Sequence, residues 1–184
     1  EKFLYFDREQ TQIFTGIPSK PLGHKDNLIL KMLTTHLSGQ SSELFVEVRD
    51  RQGLCYTAQP IHFTALEAGY WGIYMASGHD KVPAAIEALR KILNNIKENG
   101  LSQEEFERIK RMIAGQSLLN IQTNDDYANI YSVTTLQGKK LDYYHTTNQA
   151  VEKLEYQAFL KGLKRILSQK WATIIVGREN PFES

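Results

Sequence analysis

The sequence predicts an α+β fold: a mostly antiparallel sheet covered on one face by several helices. Three observations carry this reading. β-prone runs arrive in pairs with short connectors, at the start of the chain and again between residues 54 and 77. From residue 80 onward, apolar residues recur at helical spacing, and one further β-prone run closes the chain. A doubly wound parallel fold would alternate strand and helix more strictly. The 184 residues, 41% of them hydrophobic, suit a single domain, residues 1–184, with a sizeable core.

Phe3 to Phe6 and Thr11 to Ile17 are short runs of β-branched and aromatic residues split by the polar Asp7-Arg8-Glu9-Gln10. Pro18, Pro21 and Gly23 mark a loop. A helix follows, with Asp26 or Asn27 as its cap and Leu28, Leu30, Met32, Leu33 and Leu37 on its apolar face; Gly39 ends it. Ser41-Ser42 caps a second helix carrying Leu44, Phe45 and Val48, which Gly53 breaks. Leu54 to Thr64 and Gly69 to Ser77 then form an antiparallel pair around the turn Ala65 to Ala68.

Asp80 is expected to cap a long helix whose stripe runs Val82, Ile86, Leu89, Ile92, Leu93, Ile96, with Pro83 in the first turn where a missing N–H costs little. Past Gly100, Ser102 with Glu105 is a capping-box pattern, and Phe106, Ile109, Ile113, Leu118 and Ile121 continue the apolar face. Asn124-Asp125 opens a helix through Tyr127, Ile130, Tyr131, Val133 and Leu136, read as core-facing and stopping at Gly138. A shorter helix starts near Leu141 or Asp142, Glu155 to Leu167 is helical again, and Trp171 to Val176 is the closing strand.

Charge narrows the function classes. A net charge of +1, with basic residues alternating with acidic ones as in Glu104 to Arg111, gives no phosphate-binding stripe and argues against nucleic acid and anionic membrane as partners. No apolar run reaches the roughly 20 residues that span a bilayer. The single Cys55 excludes an internal disulfide and a thiolate metal cage, and a chain without disulfides suits reducing and oxidising compartments alike. The opening Glu1-Lys2-Phe3 lacks an initiator Met, so the chain is expected to be a fragment of a longer one.

Catalytic machinery is sparse. No two of the five histidines, at 24, 36, 62, 79 and 145, are three or four residues apart, so no helix presents a zinc-binding pair. Nucleophile-elbow and phosphate-loop motifs are absent. Cys55 in an apolar run reads as a small buried hydrophobe with no activating base nearby. Asp125 and Asp126 diverge by about 100° on a helix and read as favourable charge at its start.

The segment Leu44-Phe45-Val46-Glu47-Val48-Arg49-Asp50-Arg51-Gln52-Gly53-Leu54-Cys55-Tyr56 resembles a helix-to-strand junction of one zinc metallopeptidase family, that of pitrilysin, insulin-degrading enzyme and mitochondrial processing peptidase. The junction lies in the C-terminal, non-zinc-binding half of those proteins. The resemblance extends to Gln10–Gly16, to Gly72–Ser77 with Asp80-Lys81-Val82, to Leu101–Arg108 and to Ala172–Gly177. It implies that this chain holds no cofactor, and that zinc sits in a partner half, upstream in the same chain or in another subunit. It further implies an unfolded peptide as substrate, enclosed between the halves, with Arg49 binding the peptide and Tyr56 stabilising the oxyanion. Arg51 is a rival to Arg49, and the spacing to Tyr56 selects Arg49. Two structural readings stand beside these roles: an Arg closing a helix C-terminus and a Tyr packed at a strand start. The alternative for the whole chain is an inert structural or interaction module that keeps the fold. Tyr143-Tyr144-His145 fits either a chamber lining or a partly buried helix flank.

Overall fold

The computed structural model describes residues 1–182. Five strands, β1 (Lys2–Tyr5), β2 (Thr11–Ser19), β3 (Cys55–Thr64), β4 (Gly69–Ser77) and β5 (Ala172–Gly177), form one sheet in the order β1-β5-β2-β4-β3. Every neighbouring pair is antiparallel except β1 with β5. The helices are α1 (Asp26–Leu37), α2 (Glu43–Phe45), α3 (Val82–Asn99), α4 (Gln103–Leu119), α5 (Asn124–Leu136), α6 (Tyr143–Glu152) and α7 (Tyr156–Leu167).

Strand alternation explains the one-sided cover. Ile13, Thr15 and Ile17 of β2, Trp71, Ile73 and Met75 of β4, and Thr173 and Ile175 of β5 are buried on one face, against the helices. The Trp71 indole donates to Thr34 Oγ1 at 2.8 Å, which ties the sheet to α1. The opposite face keeps partly exposed aromatics, with Phe63 stacked on Tyr70 at 5.4 Å and Phe14 edge-on to Tyr70 at 5.6 Å. Gly16 and Gly72 pair directly beneath Phe14, and a Cβ on Gly72 would stand 2.5 Å from Thr15 O and 2.6 Å from the Phe14 ring. Only glycine lets that ring lie flat against the strands.

Several local expectations are corrected. Pro18 is the penultimate residue of β2, not a loop residue: it lies beyond Gly16, the last residue that β5 pairs, in the edge context that tolerates proline. Neither Asp26 nor Asn27 caps α1. Asp26 is its first residue, with its carboxylate turned to Arg165, and the Asn27 amide donates to the Lys20 and Pro21 carbonyls. Asp80 lies in a 3₁₀ turn (His79–Lys81) ahead of α3 and makes no cap bond, while Pro83 does sit in the first turn. Ser102 caps α4, but Glu105 does not complete the box, because its carboxylate is held by Arg108 and His36. The complete box is at α5, where Thr123 and Asp126 bond reciprocally.

The apolar face of α4 reaches the core only as far as Ile113; Leu118 is exposed and Ile121 lies past the helix end. The α5 stripe is not core either. Tyr127, Tyr131, Val133 and Leu136 are exposed, and Thr134 is its buried residue.

Candidate functional site

The junction between α2 and β3 is built by opposing local demands. Ser42 Oγ accepts from Phe45 N at 3.2 Å and starts the helix, while Leu44 and Val48 are fully buried and anchor it to the core. After one turn the chain widens into a π-wound segment, Val46–Arg51. Such segments are rare and concentrate at functional sites. Gly53, at φ +57°, then reverses the chain, with Gly53 N donating to Arg49 O at 3.0 Å and Leu54 N to Val48 O at 2.9 Å.

Arg49 leaves this segment toward solvent, and its guanidinium lies 4.8 Å from the centroid of the Phe45 ring. Among the described residues it has no carboxylate partner. Arg51 differs: it donates to Glu47 Oε1 at 2.5 Å, a pair one helical turn apart. Of the two arginines, Arg49 is the one without a carboxylate partner among the described residues. It lines a cleft of about 340 Å³ with Phe45, Ser38, Thr57, Gln59 and Pro60, along the edge strand β3.

Tyr56 owes its position to a bulge. Cys55 pairs with Ser77 and Thr57 with Ala76, so Tyr56 is an extra residue in the ladder. Cys55 stays inside at 6% exposure, and Tyr56 is pushed outward to 62%. Bulges of this kind re-aim a side chain and recur beside active sites. Of the two structural readings, a packed Tyr does not describe this residue.

Burial raises the Cys55 thiol to about 11, partly opposed by its hydrogen bond with Ser77. A thiol so far above neutrality is protonated and is no nucleophile. Nor does the donor set fit zinc. His36 Nδ1 is held by Glu105 at 2.8 Å, His79 by Thr11 and the Arg8 carbonyl, and His24 Nδ1 by Asp26 N at 3.2 Å. His145 packs edge-on against Tyr144. Among the described residues no three His, Cys, Asp or Glu side chains are grouped to hold a metal. Tyr143 and Tyr144 are half-buried and line a second, larger cleft; His145 is exposed. Reading by motif missed that cleft, whose walls come from four separate stretches of the chain.

The sequence model described as the peptidase M16 inactive domain matches residues 2–113. The chain belongs to the peptidase M16 inactive-domain family. Its relatives carry a consistent name. An uncharacterized zinc protease of Bacillus subtilis is 27% identical over 120 residues, 65% of this chain and 29% of that protein. Another, of Mycobacterium tuberculosis, is 24% identical over 173 residues, 93% of this chain and 39% of that protein. The chain thus spans between a quarter and two-fifths of the length of such relatives.

The fold agrees. A peptidase M16 inactive domain from Pseudomonas fluorescens superposes with a TM-score of 0.84 at 17% identity, over 97% of this chain and 43% of that one. A protease from Helicobacter pylori gives 0.83 at 18% identity, over 95% and 43%. The α+β fold predicted from the strand pairs and late helices is the fold of these M16 structures.

Proposed function

We propose that this M16 inactive domain works with a zinc-bearing half, upstream in the same chain or in a separate subunit, and closes a chamber around an unfolded peptide. In this reading Arg49 binds backbone carbonyls of the peptide, and Tyr56 donates its hydroxyl to the oxyanion forming on the attacked carbonyl. The observation that carries it is the bulge that lifts Tyr56 out of the β3 ladder beside the Arg49 cleft.

The chemistry suits both residues. A tyrosine hydroxyl aimed in advance at developing negative charge stabilises a transition state without reorganising. A guanidinium stays charged at any working pH and offers several donors in a fixed fork. Zinc held by the partner half would supply the polarisation and water activation, for which no metal-binding group exists among the described residues of this chain. The uncovered sheet face, with Phe63 and Tyr70 exposed, is suited to act as a chamber wall.

The reading is tested by reconstitution. The chain alone is expected to hydrolyse no peptide with or without added zinc, and the zinc-bearing half alone to be slow. Together they are expected to cleave an unfolded peptide at least about a hundredfold faster, the scale a single positioned donor supplies. If the zinc-bearing half cleaves equally well without this chain, the inert-scaffold alternative is the right one.

A further inference from the structure

The larger cleft, about 550 Å³, opens between the loop before α1, α1 itself, the end of β3, α5 and α6, on the side of the sheet away from Phe63 and Tyr70. Its volume is that of a small-molecule or short-peptide site. Its chemistry is lopsided. The lining includes Lys31, His24 and His62, and no aspartate or glutamate. Lys139 adds a second ammonium at the rim, donating to the Leu22 carbonyl at 3.4 Å and lying 5.6 Å from the centroid of the Tyr143 ring. The carboxylate nearest in sequence, Asp26, has both oxygens turned to Arg165, with Oδ1 also 3.7 Å from His24 Nδ1, and it does not reach Lys31.

Lys31 is a partly buried cation with a neutral partner, the side-chain oxygen of Asn148 at 2.9 Å. Burial pushes its pKa down, which records that the charged form lacks a counter-charge. Two further groups in the wall are unfinished. The Asn27 amide nitrogen must face the Lys20 and Pro21 carbonyls, which leaves Asn27 Oδ1 as a buried acceptor without a donor. His62 Nε2 is likewise buried and unpartnered. Leaving such groups unmatched is costly, and matching them is what a ligand supplies.

We propose that this cleft binds the C-terminal carboxylate of a short peptide, with Lys31 as counter-ion. Leu28, Ile130 and Val133 flank the apolar side chain beside that carboxylate. A backbone N–H of the peptide supplies the donor that Asn27 Oδ1 lacks, through a small rotation of that side chain. Chloride and sulfate offer no such donor. The choice of a peptide rests on the peptidase reading above; the choice of an anion rests on Lys31 alone, and neither uses Arg49 or Tyr56.

The test is titration of the chain, observed by isothermal calorimetry and amide chemical shifts, with N-acetyl-leucyl-phenylalanine and with its C-terminal amide. The free acid is expected to bind saturably, with shifts around residues 22–31 and 129–150, and the amide about tenfold more weakly, the scale of losing one charge-assisted hydrogen bond. Lys31→Met is expected to abolish that difference. Equal affinity of acid and amide, or no saturation by about 10 mM, overturns the proposal. N-acetyl-aspartyl-phenylalanine amide binding as tightly as the free acid overturns the assignment to a terminal carboxylate. The acid–amide comparison needs no variant, so misfolding of Lys31→Met does not blunt it, and hydrolysis is nowhere measured, so its outcome is separate from that of the reconstitution.

Discussion

Arg165→Met removes the partner of a carboxylate that the fold has almost fully enclosed. Asp26 is 3% exposed, and Arg165 donates to its two oxygens at 2.6 and 3.0 Å, joining α7 to the first turn of α1. Breaking a buried pair from one side costs roughly 3–5 kcal/mol. The Arg165 side chain is half exposed, which screens the pair, so about 2–3 kcal/mol is expected at pH 7. With a urea dependence near 2 kcal/mol per molar, the unfolding midpoint falls by about 1–1.5 M. The pH dependence has a definite sign. Burial raises the Asp26 pKa, and the Arg165 hydrogen bond and charge, with the charges of His24 and Lys25 behind them, more than reverse this, leaving it below the ordinary 3.8. The stabilisation is therefore present above the unfolded value and lost as pH falls through the folded one. In the variant burial is opposed only by the charges of His24 and Lys25, so protonation of Asp26 relieves more of its cost, and the gap to wild type narrows from pH 7 towards pH 3. A loss below about 0.5 kcal/mol at pH 7, or one that does not change with pH, would refute the argument.

Two further outcomes follow from the same packing. A Cβ on Gly162 would stand 2.1 Å from Ile29 Cδ1 at the α1–α7 contact; Gly162→Ala is expected to cost about 1–2 kcal/mol in urea unfolding despite its better helix propensity, and a stabilised variant would show that the contact yields freely. Cys55, buried and held protonated, is expected to react with iodoacetamide at pH 8 only as fast as the chain opens, so labelling accelerates on adding urea; rapid labelling of the native chain would contradict its placement.

The strands were legible from their β-branched and aromatic content, but the order was not: β5 enters between β1 and β2, which do not pair with each other. The junction was legible as a motif but not as a geometry. The bulge at Tyr56 depends on how β3 registers against Ser77 and Ala76, a relation that local pattern does not encode. The misread α5 has a related cause: Tyr127 and Tyr131 lie one turn apart, yet spacing marks a face and not what covers it. Both rings are exposed, at 41% and 37%, and Leu136, 84% exposed, lies on the opposite side of the helix. Capping failed where other partners competed for the side chain, as Arg165 does for Asp26 and as His36 from α1 and Arg108 one turn along α4 do for Glu105. Asn27 and Lys31 stand one turn apart on α1, but the three formed no motif because His62 of β3 joins them only through the fold.

The most direct measurement is steady-state cleavage of an unfolded peptide by the complete zinc-bearing enzyme carrying Tyr56→Phe, with the urea midpoint checked in parallel. Loss of one oxyanion donor predicts a fall in kcat of about a hundredfold with KM nearly unchanged. A kcat within about twofold of wild type, in a variant of unaltered stability, would show that Tyr56 does not touch the transition state.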